Sequence, residues 1–153
     1  IFMKKIIGYT TGVFDMFHIG HLNIIRKAKE KCDYLIVGVS TDELVQKEKR
    51  KRPVIPYQDR VEIVKAIRYV DEVVPQENKD KYSAWEKYHF NKMFVGSDWK
   101  GTPQWNEYEK EFATCDVEIE YIPHTDGISS TKLTKIITQI LDETPLEQNI
   151  ADK

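Results

Sequence analysis

Short apolar runs rich in β-branched residues alternate with amphipathic helical patterns along this 153-residue chain, and the alternation leaves few folds open. Runs of strand length occur at Lys5 to Tyr9, Tyr34 to Val39, Glu72 to Val74, Met93 to Val95 and Val117 to Ile122. Leu22, Ile25, Ala28 and Cys32 mark one helical face between them, and Val61, Ile63, Val64 and Ile67 a second. Leu133, Ile136, Ile137, Ile140 and Leu141 mark a last helix with i, i+3, i+4, i+7, i+8 spacing. Strands separated by helices need crossover connections, so the expected class is α/β, a parallel five-stranded sheet covered by helices on both faces. Ligands of such sheets sit beyond the carboxyl ends of the strands, at the point where the strand order switches. Functional residues are therefore expected to follow strands.

The length suits one compact domain, expected over 3–142, with a polar tail over 143–153. Gln76 to Tyr82 is also polar and reads as a mobile connection. Met3-Lys4-Lys5 reads as a natural start, so Ile1 and Phe2 take no part in the functional argument. Lys plus Arg number 23 against 25 Asp plus Glu, a net charge of −2, which argues against a chain built to coat nucleic acid or an anionic membrane. Charged residues interrupt every apolar run well short of a bilayer's width, so membrane insertion is not expected. Cys32 and Cys115 lie far apart with no CxxC and no leader pattern, which points to the cytoplasm and away from disulfides or structural zinc.

Three stretches offer chemistry. Gly12-Val13-Phe14-Asp15-Met16-Phe17-His18-Ile19-Gly20-His21 places a glycine-containing turn between the first strand and a helix. A helix amino terminus presents unpaired N–H groups and partial positive charge, which suits a phosphate. His18 and His21, three apart, would project from one side of the first turn and could donate to one phosphoryl group. The competing readings are capping or surface histidines, and metal ligands, for which no third His or Cys follows at suitable spacing. Lys47, Lys49, Arg50, Lys51 and Arg52 follow the second strand and a short helix, and Pro53 and Pro56 then fix an extended connection into a helix near Tyr57. Such a run is commonly a solvated loop, but on the ligand side of an otherwise slightly acidic chain it suits a nucleoside triphosphate better than nucleic acid. Last, His124-Thr125-Asp126-Gly127-Ile128-Ser129-Ser130-Thr131-Lys132 leads into the final helix. One serine is accounted for as an N-cap; three consecutive hydroxyls and a lysine could cradle a second phosphate.

Gly12 to His21 resembles the GxFDxxHxGH signature of the cytidylyltransferases, and Ile128-Ser129-Ser130-Thr131 resembles their ISTT-type second signature. Arg68 to Val74 resembles the RYVDEV stretch, and Gln46 to Lys49 and Gly96 to Trp99 also have counterparts in the small bacterial glycerol-3-phosphate cytidylyltransferases. The resemblance runs from about Lys4 to Leu141 and implies a Rossmann-like sheet of the nucleotidyltransferase type. It further implies transfer of CMP from CTP, carried with Mg²⁺, to a phosphorylated small alcohol. His18 and His21 would hold the α-phosphate region, Lys47 and Lys49 the transferring and acceptor phosphates, and Ile128, Ser129, Ser130 and Thr131 the β- and γ-phosphates. Gly12, Val13, Phe14, Asp15 and Gly20 would build the nucleotide loop, and Arg68, Asp71 and Asp98 would contact cytidine. Trp99 and His124 would join Lys47 at the acceptor, and a homodimer is implied through the stretch from Arg68 to Val74.

Two positions depart from the family pattern. Val13 stands where threonine is usual, and His124 where the RTxGIS pattern has arginine. Histidine is shorter than arginine and lacks its bidentate fork, which leaves ribitol 5-phosphate, ethanolamine phosphate or another polyol phosphate open beside glycerol 3-phosphate. Other families with HxGH motifs transfer AMP, and a module that binds nucleotide without turnover has the same motifs. Trp85, Trp99 and Trp105 read chiefly as packing around Gly96 and Pro103.

Overall fold

The structure, a computed structural model, describes residues 4–125 and 127–143. Five strands form one sheet: β1 (Ile7–Gly12), β2 (Tyr34–Ser40), β3 (Glu72–Gln76), β4 (Lys92–Gly96) and β5 (Glu118–Ile122). All four pairings are parallel and the spatial order is β3-β2-β1-β4-β5. The chain thus moves outward from β1 through β2 to β3, then crosses back to β4. The switch lies between β1 and β4, as the alternation predicts.

Helices fill every crossover: α1 (Ile19–Glu30), α2 (Asp42–Lys49), α3 (Tyr57–Lys65), α4 (Lys81–Tyr88) and α5 (Pro103–Ala113), with α6 (Ser130–Glu143) after β5. One core layer joins Ile25 and Ala28 of α1 and Val64 of α3 to Leu35, Val37, Val39 and Phe94 of the sheet. The opposite layer joins Trp105 and Phe112 of α5 to Tyr9, Ile36, Val74 and Met93. Alternate residues of β2 therefore serve opposite layers, as the pleat requires of a sheet buried on both faces.

Several boundaries differ from the sequence expectation. β1 begins two residues late and extends through Thr10, Thr11 and Gly12, because Thr10 is buried with its hydroxyl donated to the Phe94 carbonyl at 3.0 Å. A polar residue thus continues the strand. Gln76 to Tyr82 is tied at both ends: Gln76 is a buried strand residue accepting from Ser40 at 2.8 Å, and Asp80 caps α4 through the Tyr82 N–H. Lys47 and Lys49 belong to the last turn of α2, where cations meet the negative end of the helix, instead of the loop beyond it. Trp105 is core, as its packing role predicts, but Trp99 is 47% exposed, and Gly96 adjoins Asp98 and His124 rather than the tryptophans. Ile1, Phe2, Met3, Asp126 and the tail from 144 lie outside the described residues, while Glu143 closes α6.

Candidate active site

Glycine at 12 lets the chain turn at the end of β1, since a Cβ there would stand 3.0 Å from the ring of Phe14. Phe14 and Met16 then adopt left-handed backbone, φ 56° and 47°, a conformation that costs a non-glycine residue about 1 kcal/mol or more and is typical of functional loops. Burial of the Phe14 ring holds the turn.

His18 is the N-cap of α1. Its Nδ1 accepts from the Gly20 N–H at 3.0 Å, and His21 Nδ1 accepts from the His18 N–H at 3.2 Å, so the two imidazoles form a reciprocal capping box. The rings stack at 3.9 Å, and Phe14 and Phe17 pack against His21. The capping reading thus accounts for the two Nδ1 atoms and leaves the Nε2 atoms to spare. With each Nδ1 engaged as an acceptor, each neutral ring carries its proton on Nε2. His18 Nε2 is buried and has no partner among the described residues, a donor waiting for an acceptor.

Electrostatics agree. Burial holds His18 below the usual imidazole range, and burial, with the neighbouring His18, pushes His21 down to about 4 while Asp15 opposes. These are neutral donors, so the charge at the site falls to the lysines. For His21 the unfolded chain binds more protons than the folded one between about pH 4 and its ordinary 6.5, so stability rises with pH across that window. The urea midpoint is expected to fall as pH is lowered from 6.5 towards 4, and His21→Asn, which still offers an acceptor, should flatten that slope.

Asp15 organises the loops rather than facing ligand. Its two carboxylate oxygens accept from the Val54 and Ile55 N–H groups, each at 2.8 Å, which docks the Pro53–Pro56 connection on the β1 loop. Its carbonyl accepts from Ser130 Oγ, which ties in the start of α6. Ile128 packs 3.5 Å from where a Gly20 Cβ would be, and Thr125 accepts from Asn23 of α1 at 2.9 Å. The second signature thus closes over the first. Of its hydroxyls, Ser129 caps α6 by accepting from the Lys132 N–H and keeps its own proton to donate; Ser130's proton is committed to Asp15. Thr131 lines a groove with Lys51 and Lys135.

Sequence reasoning missed Arg60. Fully buried in α3, it donates to the carbonyls of Val13 (2.7 Å), Ser40 (2.7 Å) and Ile55 (2.9 Å) and pairs with Asp42 at 2.7 Å. One guanidinium thus joins the ends of β1 and β2, the proline connection and α2. An arginine in a charged helical segment carries no sequence signal of this task.

Lys49 lies within electrostatic reach of Asp15 and of Lys79, and burial lowers its pKa. Lys49 and Lys47 are both exposed, but Lys47, two residues back, lies roughly 200° around the helix from Lys49. Asp98 and His124 do meet, Oδ1 to Nε2 at 2.9 Å, above Gly96, and a Cβ there would stand 2.9 Å from one and 3.0 Å from the other. Trp99 is adjacent in the same short turn, Ser97–Trp99. Arg68 and Asp71 are not brought to this site. Both precede β3 and lie at the amino edge of the sheet: Asp71 accepts from the Leu35 N–H and pairs with Lys29, and Arg68 lies against Tyr69. Among the described residues no group of three His, Cys, Asp or Glu is placed to hold a metal.

A parallel sheet whose carboxyl edge gathers two helix starts, donor histidines and a lysine within electrostatic reach of Asp15 defines an α/β protein that handles phosphorylated nucleotides. The sequence profile of the cytidylyltransferase-like family matches residues 9–136, and the chain belongs to that family. Glycerol-3-phosphate cytidylyltransferase of Bacillus spizizenii is 42% identical over 135 residues, 87% of this chain and 96% of the relative. FAD synthase of Thermococcus onnurineus is 32% identical over 140 residues, 91% of this chain and 93% of the relative. Among solved structures, the lipopolysaccharide core biosynthesis protein of Thermoplasma volcanium superposes with a TM-score of 0.66 over 80% of this chain and 98% of its own, at 20% identity.

Proposed function

We propose that this protein is a nucleotidyltransferase that moves CMP from CTP to glycerol 3-phosphate or a close polyol phosphate, releasing pyrophosphate and a CDP-alcohol for a cell-surface polymer. The observation that carries the reading is the buried, unpartnered His18 Nε2, fixed as a donor by its own cap at the mouth of the β1 loop. The similarity of nearly the whole chain to a glycerol-3-phosphate cytidylyltransferase supplies the substrates.

The reaction needs no protein nucleophile. An acceptor phosphate oxygen, already ionised at neutral pH, attacks the α-phosphorus of CTP while the bond to the β-phosphate oxygen breaks opposite it. Catalysis is then positioning and stabilisation of charge on the equatorial oxygens. His18 and His21 donate to the α-phosphate, Lys49 supplies positive charge, and Ser129 with the α6 amino terminus receives the β- and γ-phosphates. Gly12, Val13, Phe14, Asp15 and Gly20 shape that loop, while Asp98, Trp99 and His124 border the site from the β4 and β5 side. Lys47 reaches it only if its long side chain turns back across α2. Mg²⁺ usually keeps several waters and takes substrate phosphates with one or two carboxylates. Since both Asp15 oxygens already serve backbone N–H groups, Mg²⁺ would arrive on the triphosphate, neutralising part of its charge.

The same reading carries a cytoplasmic enzyme and a homodimer. No helix among the described residues is long and apolar enough to cross a membrane. Arg68 to Val74 borders β3, an outer strand of the sheet, and its Arg68, Asp71 and Glu72 are exposed, as a pairing surface would be. Equilibrium sedimentation at micromolar concentration should give twice the chain mass; a monomer alone contradicts the dimer.

The reaction is tested by pyrophosphate release with Mg²⁺ across glycerol, ribitol, erythritol, ethanolamine and choline phosphates, with CTP and with ATP. One polyol phosphate responding with CTP alone is expected. Preference for ATP would favour an adenylyltransferase, the reading that the FAD synthase relative supports. CTP binding without turnover would leave a non-catalytic nucleotide module.

A further inference from the structure

Lys81 carries a charge to which the reaction above gives no task. It opens α4 directly after the β3 connection, half-buried, and burial is the main influence on its ammonium. Its hydrogen bond goes to Thr11 Oγ at 2.9 Å, a neutral partner, and no carboxylate lies within ion-pair distance of it among the described residues. The charge it does feel is a like one: Lys79 acts on it, and Lys79 also acts on Lys49. Lys79, which pairs with Glu48 at 3.9 Å, is thus a cation that both of the others feel. Burial first, and Lys79 second, lower the Lys81 pKa to about 8. A half-buried cation beside another cation is unfavourable in the free protein, and such an arrangement is characteristic of a site completed by an anionic ligand.

The side of the sheet identifies which anion. Tyr9 and Thr11, two apart on β1, share one face, as the approach of both to a Cβ on Gly38 shows, at 2.9 and 3.0 Å. Tyr9 belongs to the core layer of α5, so Lys81 meets β1 from that face. The capped start of α1 and the start of α6 lie together on the other, with Ile128 against Gly20 and Ser130 on Asp15. In-line displacement places the incoming oxygen and the leaving pyrophosphate on opposite sides of the α-phosphorus. With the leaving group at α6, the incoming group arrives from the lysine side.

We propose that Lys81, with Lys79 beside it, binds the phosphate of the acceptor alcohol and so selects phosphomonoester acceptors. The inference rests on the CMP-transfer reading and adds the residue that holds the second substrate. Thr11 orients the ammonium.

The test is initial-rate kinetics of the full chain and of Lys81→Met and Lys81→Arg, with glycerol 3-phosphate varied at saturating CTP and then CTP varied at saturating acceptor. Lys81→Met is expected to raise the acceptor KM about 10- to 100-fold, the usual size of a lost charge-assisted contact, with the CTP KM within about twofold. Lys81→Arg should recover part of the loss. Removal of a half-buried unpaired charge should also leave the urea midpoint unchanged or higher, where a merely structural lysine would lower it. An acceptor KM within about twofold of the unsubstituted protein, or an equal rise for CTP, overturns the inference. Should Lys81→Met fail to fold, Lys81→Gln read in the same split decides. A parent protein that releases no pyrophosphate from CTP with any acceptor overturns the transfer reading and this inference with it, whereas an active parent with an indifferent variant overturns this inference alone.

Discussion

His18→Asn is expected to keep the fold and lose the reaction. Asparagine is among the best N-cap residues, and its side-chain oxygen can accept the Gly20 N–H that His18 Nδ1 accepts now, so α1 should keep its cap. What it cannot replace is the Nε2 donor, which is buried without a partner in the free protein. If that donor stabilises charge on the transferring phosphoryl group, kcat should fall about 10²- to 10³-fold, the usual loss for one preorganised donor. Thermal unfolding should change little. His18→Ala, by contrast, removes cap and donor together and should lose about 1 kcal/mol of stability as well as activity. An asparagine variant with near-parental turnover would remove His18 from the chemistry and leave it a capping residue.

Arg60→Met is expected to have the largest effect on stability. The substitution retains much of the apolar volume but leaves three carbonyls and the Asp42 carboxylate without the guanidinium that now satisfies them. Breaking a buried pair from one side costs about 3–5 kcal/mol, because an uncompensated charge and unsatisfied acceptors stay behind. Arg60→Lys should recover little, since a point-charge ammonium cannot span Val13, Ser40 and Ile55 at once. Urea denaturation reads both variants, and a loss below about 1 kcal/mol for Arg60→Met would show that water can take the guanidinium's place.

Legibility from sequence followed physical signal. The β-branched runs and helical spacings gave strand number, parallel pairing and the position of the ligand edge, because burial on both faces leaves a strong compositional trace. The end of β1 was less legible, since Thr10 is kept in the strand by a hydrogen bond to Phe94 that no local pattern announces. His18 and His21 were legible as donors to a phosphate, but their neutrality was not, because it depends on backbone N–H groups that fold onto their Nδ1 atoms. Arg68 and Asp71 were misplaced because similarity of a motif carries no direction. The topology does: residues that precede a parallel strand sit at its amino edge, away from the ligand. Lys81 escaped notice because its partner, Thr11, is 70 residues away and was assigned no chemistry.

Asp15 and Arg60 clamp the same two loops from opposite chemical ends. The carboxylate takes the N–H groups of Val54 and Ile55, while the guanidinium takes the carbonyls of Val13 and Ile55. For anyone recombining this chain with a relative to change its acceptor, the unit of exchange is set by that double clamp. Segments 12–20 and 53–60 must travel together, and a breakpoint between them would pair one parent's loop with the other parent's fastening. Grafts confined to the short turn around Asp98 cut no such fastening and are the safer place to begin, whereas one that takes in His124 must keep Thr125, which holds Asn23 of α1.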